Sequence, residues 1–301
     1  MGVRTTITLD EVNSLLSSCN ISFERLEATS DGISDTTYVL YDRKDKKYLF
    51  KIYESANREI LENEIELLNS LLALPTPKYL LASKNINTYK GKTIGLFSYL
   101  EGASLTREPS LNQISQIGHF LGNFHKQTEN KKSINKNIFT NEALKQMFQS
   151  VQEFDCDGSI KEKFERCYEL VKDTHLAEDG VIHGDLFLDN TKFVDEKLTA
   201  VFDFIESCNG SFLFDLSVVV NGWCFDNNYL FKKTHLEALL DAYNKSFGRE
   251  VHVAELKEAM LFASLFYALQ RFITKYIERR NVAVKGYEEY LIKFDVILGE
   301  I

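Results

Sequence analysis

Val181-Ile182-His183-Gly184-Asp185-Leu186-Phe187-Leu188-Asp189-Asn190 runs on into Thr191-Lys192-Phe193-Val194, Asp195-Glu196, Lys197-Leu198-Thr199-Ala200-Val201-Phe202 and Asp203-Phe204. An apolar pair feeds a His-x-Asp, and Asn190 stands five residues after Asp185. Two short β-like segments follow, Lys192–Val194 and Leu198–Phe202, joined by an acidic turn. A hairpin brings its ends together, so the pattern predicts Asn190 and Asp203 side by side, with Asp185 one loop away. Asp and Asn also cap turns, and that plainer use of them stands beside any chemical one.

Such a cluster suits phosphoryl transfer. Mg²⁺ takes a few hard oxygens and fills its remaining positions with phosphate and water, which one carboxylate and one amide carbonyl can supply. A separate carboxylate then accepts the hydrogen bond of the attacking hydroxyl. The H-x-D-x-x-x-x-N spacing with a downstream Asp resembles the catalytic loop and metal-binding Asp of protein kinases.

That reading makes demands upstream. It needs a strand lysine for the nucleotide phosphates, and Lys51 lies mid-strand in Leu49-Phe50-Lys51-Ile52, although a strand lysine can also be an edge charge. It needs a glutamate on the next helix. On a helical wheel of residues 59–72, Glu64 falls within the apolar stripe of Ile60, Leu61, Ile65, Leu67, Leu68, Leu71 and Leu72, whereas Glu62 and Glu66 face away. A carboxylate aimed into an apolar stripe needs a cation, and Lys51 is the natural partner; Glu59 is the second choice. It also needs a loop over the phosphates. Ser30-Asp31-Gly32-Ile33-Ser34-Asp35-Thr36-Thr37-Tyr38 precedes the first hairpin strand, with Gly32, Ser34 and Thr36 as its nucleotide contacts.

The surrounding chain agrees with a soluble enzyme. Its 301 residues are 44% hydrophobic, and 35 Lys+Arg against 44 Asp+Glu give a net charge of −9. That balance argues against a general nucleic-acid binder. Five scattered cysteines without a CxxC argue against a disulfide framework or a zinc ribbon, and suggest reduced thiols in a cytoplasm. No apolar run reaches the ~20 residues of a membrane span, and the start shows no secretory pattern. Residues 36–53 read as a hairpin, 56–73 as a helix and 92–100 as a strand. Helical periodicity dominates afterwards, at 111–127, 141–153, 159–174, 234–247 and 254–280, broken by the β-rich island at 181–205. The expected fold class is α+β: a small β-rich N-lobe over residues 1–100 and a larger helical C-lobe over 101–301.

These residues resemble the aminoglycoside phosphotransferase and choline kinase superfamily, the small-molecule branch of the protein-kinase fold. HGDLFLDN is similar to its brace motif, VFDF to its metal-binding strand, and Leu74-Pro75-Thr76-Pro77 to the segment after its lysine-pairing helix. Within it, the start Met1-Gly2-Val3-Arg4-Thr5, the loop Gly32–Tyr38, Phe214-Asp215-Leu216 through Asn221-Gly222-Trp223-Cys224-Phe225, and Ala268-Leu269-Gln270-Arg271-Phe272 resemble the bacterial homoserine kinase family. The chain departs from that family's pattern at Ser34-Asp35 (usually Glu-Asn), Leu188 (usually Pro) and Gly222 (usually Ala). The resemblance implies a two-lobed protein-kinase-like fold, ATP and Mg²⁺, L-homoserine as acceptor and O-phospho-L-homoserine as product. It implies Asp185 as catalytic base, Asn190 and Asp203 as metal ligands, Lys51 on the phosphates and Glu64 orienting it. It also implies Asp215 as a buried brace and adenine beside Phe97–Leu100.

Residues 259–273 are apolar almost all round, which predicts a buried helix. Arg271 within it needs an anion: either a structural ion-pair partner or the carboxylate of a substrate, which a guanidinium grips with two parallel hydrogen bonds. Kinases of choline or an aminoglycoside, and a pseudokinase acting as a binding module, are the competing readings. His125 ends an apolar stripe and reads as a packed core histidine.

Overall fold

A computed structural model describes residues 3–29, 35–55, 58–81, 87–133, 135–279 and 286–300. The chain divides into two compact units, residues 1–102 with 199–205, and residues 103–198 with 206–301.

The first unit begins with helix α1 (Leu9–Leu15), opened by a capping box between Thr8 and Glu11. Strands β1 (Phe23–Ala28), β2 (Thr36–Asp42) and β3 (Lys47–Ile52) follow, then α2 (Arg58–Ser70), β4 (Thr88–Tyr89) and β5 (Lys92–Ser98). The strands form one antiparallel sheet in the order β1-β2-β3-β5-β4. At the β2–β3 turn the Asp42 carboxylate accepts the N–H groups of Lys44 and Lys46. Side chains alternate across the sheet. Tyr38, Leu40, Tyr48, Phe50, Ile52, Ile94 and Leu96 are buried on one face. Thr37, Lys51 and Gly95 share the other, in register across three strands.

The second unit is mainly helical: α3 (Leu111–Thr128), α4 (Asn141–Glu153), α5 (Gly158–Val171), α6 (Phe212–Trp223), α7 (Lys233–Phe247), α8 (Val253–Phe272) and α9 (Tyr287–Glu300). Strands β6 (Gly180–Ile182) and β9 (Cys208–Gly210) pair antiparallel, and β7 (Thr191–Val194) forms a ribbon around the turn at Asp195 with β8 (Lys197–Val201), whose last three residues are counted with the first unit. Helices α3 and α7 touch backbone to backbone. A Cβ at Gly118 would come within 2.5 Å of the Leu239 carbonyl, and one at Gly122 within 2.6 Å of the Tyr243 carbonyl, so only glycine allows this spacing. Phe139, Phe214, Phe262 and Phe266 pack ring against ring in the core.

The expected helix 141–153 appears with those ends, the other expected helices appear with shifted ends, and the expected strand 92–100 stops at Ser98. The stretch 254–280 is helical through Phe272, then widens to a π-helical turn at Ile273–Ile277. Six elements lay outside the sequence reading: α1, β1, β4, β9, α6 and α9. Among the described residues, no helix is long and apolar enough to cross a membrane.

Candidate active site

In the first unit, alternation along β3 carries Lys51 to the less apolar face of the sheet. Its Nζ lies 3.1 Å from Asp35 Oδ2 and 3.3 Å from Asp203 Oδ1, and 4.6 Å from the centroid of the Tyr53 ring. Burial by itself would lower the Lys51 pKa, but Asp203, Glu64 and Asp35 more than reverse this and hold it above the ordinary lysine range. Lys51 is therefore a fixed cation at any physiological pH. Asp203 itself sits in the left-handed region, at φ 69°. Non-glycine residues held there cluster at functional sites.

Glu64 is buried on α2, as the wheel places it, with 4% exposure. Its direct partner differs from the expected one. Tyr53 donates its hydroxyl to Glu64 Oε2 at 2.7 Å, and Lys51 bridges to Asp35 and Asp203 instead. The ammonium goes to the carboxylates its stem reaches, and Glu64 acts on it through space across the Tyr53 ring. Burial raises the Glu64 pKa, with Lys51 and Tyr53 opposing. Burial and Glu64 push the Tyr53 phenol far up, which keeps it the donor.

In the second unit, β6 delivers the Asp185 loop. Gly184 takes φ +80°, and a Cβ there would lie 2.6 Å from the Phe139 ring, so the turn requires glycine. The N–H groups of His183 and Gly184 donate to the two oxygens of Asp215, each at 2.8 Å. Asp215 is fully buried and also meets His125 Nε2 at 3.0 Å, while His125 Nδ1 meets the Tyr243 hydroxyl at 2.8 Å and the ring stacks on Phe212. Burial opposes the Asp215 charge, but the His125 contact and the loop N–H groups outweigh it, and its pKa falls below the usual carboxylate range. Three further contacts fix the loop: Asp185 N–H to His183 Nδ1 at 3.2 Å, Trp223 Nε1 to the Leu186 carbonyl at 3.0 Å, and the Tyr267 hydroxyl to the Gly184 carbonyl. Gly222 leaves room for Phe187, since a Cβ there would lie 2.7 Å from its ring. Asn190 donates Nδ2 to Asp185, at 2.7 Å to the main-chain oxygen and 2.8 Å to Oδ2. With the nitrogen so used, Asn190 Oδ1 is the atom that can meet a cation.

Residues 25–252 match the phosphotransferase enzyme family. The chain belongs to this family. Homoserine kinase of Agrobacterium fabrum strain C58 is 27% identical over 285 residues, covering 91% of this chain and 87% of the relative. That of Zymomonas mobilis subsp. mobilis is 29% identical over 288 residues, covering 91% and 87%. Among solved structures, spectinomycin phosphotransferase APH(9)-Ia superposes with a TM-score of 0.67 at 16% identity, covering 97% of this chain and 94% of that one. Choline kinase LicA from Streptococcus pneumoniae gives 0.66 at 16% identity, covering 95% and 97%. The fold is thus the α+β, protein-kinase-like one, with a small antiparallel-sheet lobe and a helical lobe, and this phosphotransferase acts on a small molecule.

Other expected contacts fare differently. Thr36, foreseen as a nucleotide contact, is fully buried at the head of β2. Its hydroxyl accepts the N–H groups of Arg4 and Thr5 and donates to Glu54 Oε1 at 2.6 Å, which uses it up. Gly32 and Ser34 lie outside the described residues. Phe97 is buried edge-on against Tyr79, and Leu100 follows β5, half-buried. Arg271 is half-buried rather than buried, because α8 turns its last polar face out just before the π-helical turn. Its guanidinium lies 5.9 Å from the centroid of the Tyr290 ring and bridges to no carboxylate among the described residues. The sequence reading missed Tyr53 as Glu64's partner and Asp35 as a partner of Lys51. Both could be read from period-two spacing: Tyr53 follows Lys51 by two residues, and Asp35 precedes Thr37, Lys51's register partner, by two.

Proposed function

We propose that this phosphotransferase moves the terminal phosphoryl group of ATP to the side-chain hydroxyl of L-homoserine, giving O-phospho-L-homoserine, in the cytoplasm. The observation that carries the acceptor is Arg271. A half-buried guanidinium without a carboxylate among the described residues is a ready site for one, and a π-helical turn beside it marks helices at functional sites. Burial raises the Tyr290 phenol's pKa, Arg271 opposes this and Asp185 adds to it, so one ring feels both the proposed clamp and the proposed base. The relatives named homoserine kinase support the same acceptor.

In this reading Asp185 accepts the hydroxyl proton, and Asn190, through Nδ2, fixes the carboxylate's orientation. Lys51 receives phosphate oxygens, and Glu64 with Tyr53 keeps it in place. Asp203 and Asn190 offer a carboxylate and an amide carbonyl, hard oxygens that suit Mg²⁺. When bound, Mg²⁺ would neutralise charge on the phosphates. Asp203→Ala is expected to abolish turnover more completely than Asn190→Ala, because only Asp203 brings formal charge. Mg²⁺ titration of each variant's activity checks this, and an unchanged metal dependence in Asp203→Ala would remove it from the metal site.

The acceptor is tested by kcat/KM for L-homoserine, 3-aminopropan-1-ol (the same skeleton without the carboxylate), choline and an aminoglycoside. L-homoserine is expected to lead by at least about 10²-fold, the scale of a lost charged, bidentate contact. Arg271→Lys is expected to lower homoserine turnover while leaving the aminoalcohol unchanged, because the charge stays and the planar fork goes. A wild type that prefers the aminoalcohol would end the homoserine assignment. An equal loss for both acceptors would make Arg271 structural.

A further inference from the structure

Lys51 holds two carboxylates, and the proposed chemistry employs one of them. Asp203 has a role at the metal. Asp35 has none, yet its Oδ2 is the nearer, at 3.1 Å from Nζ against 3.3 Å. Its other oxygen accepts the Glu54 N–H at 3.0 Å, and its side chain is 7% exposed. Glu54 is itself anchored: Thr36 donates to it at 2.6 Å, Thr5 at 3.1 Å, and Lys92 pairs with it. Asp35 is therefore not a surface charge that happens to reach a lysine. Both its oxygens are engaged, one by Lys51 and one by a main-chain donor on a fixed scaffold.

An ammonium offers three donors and accepts none. Asp35 and Asp203 engage two of them. Phosphate oxygens arriving at Lys51 must share the remainder, beside a carboxylate of the same sign in a low-exposure pocket where charges interact strongly. We propose that Asp35 is a built-in anionic competitor of the nucleotide phosphates for Lys51, and that it holds nucleotide affinity down. This rests on the reading of Lys51 as the phosphate-binding lysine. Asp35 touches no reacting atom; it sets how available Lys51 is.

The test measures Kd for MgATP, MgADP and adenosine by calorimetry, without acceptor, in wild type, Asp35→Asn, Asp35→Ser, Asp35→Glu and Lys51→Ala. Asp35→Asn keeps the shape and the acceptor for the Glu54 N–H but removes the charge. It is expected to bind MgATP about tenfold tighter, the scale on which one close charge shifts an equilibrium. Adenosine, which carries no phosphate, should bind as to wild type. Asp35→Ser gives the same direction by an unrelated side chain, and Asp35→Glu, which retains the charge, shows no tightening. In a Lys51→Ala background, Asp35→Asn should lose its effect. MgATP binding unchanged or weaker in both neutral variants overturns the proposal, as does equal tightening for adenosine. Lys51→Ala binding MgATP as well as wild type would instead overturn the phosphate role of Lys51, so the two failures are told apart.

Discussion

Asp185→Asn is expected to fold and bind nucleotide like the wild type and to lose about 10²–10⁴ in kcat, the usual cost of removing a general base. The fold should survive because other groups hold the loop. Asp215 takes the N–H groups of His183 and Gly184, Tyr267 takes the Gly184 carbonyl and Trp223 the Leu186 carbonyl. The substituted amide can still present an oxygen to Asn190 Nδ2, which now bonds Asp185 Oδ2 at 2.8 Å. What goes is a carboxylate able to take a proton. Steady-state kinetics with saturating acceptor, beside thermal melting and a nucleotide titration, separates these effects. Near-normal turnover in a folded Asp185→Asn would take Asp185 out of the chemistry and leave it as a loop residue.

Much of this site was legible because its signals are local. His183 to Asn190 is one continuous run, Lys51 follows from strand alternation, and Glu64 from a single helical wheel. His125 could be placed in the core from its stripe, and the resemblance implied the buried role of Asp215. The rest depends on register and on competition between like groups. Nothing in Lys51's neighbourhood in sequence ranks Asp35, Glu64 and Asp203 as claimants for one ammonium; that ranking needs the β2–β3 register, which sets Thr37 opposite Lys51. The missed elements fail for opposite reasons. Helix α6 is buried almost all round, so it shows no amphipathic period. Strand β1 lies at the sheet edge and buries only Phe23 of its six residues, so it reads as a polar run. Helix α8 gave the right element, but Arg271 beneath its apolar label sits at the C-terminal end, where the helix surfaces.

Asp215→Ala should cost the most stability, about 3–5 kcal/mol, the range for removing one partner of a buried charged contact. The carboxylate is fully buried and serves His125 and two loop N–H groups at once. Alanine leaves those donors without an acceptor in a dry site, and each orphaned donor costs about 1–3 kcal/mol. The pH dependence distinguishes this from a simple cavity. Folding lowers the Asp215 pKa, so its contribution is complete above the unfolded carboxyl's ordinary value of about 4 and fades as pH falls through the still lower folded value. Chemical denaturation of both proteins at pH 7 and at steps below pH about 4 should show the gap between them narrowing as the medium becomes acid. A gap that stays constant through that window would mean that volume, not charge, is what alanine removes. Residual turnover adds a second reading: because Asp215 sets the main chain just before Asp185, the folded fraction of Asp215→Ala should lose kcat more than acceptor KM. An intact kcat per folded molecule would show that the Asp185 loop keeps its shape without this brace.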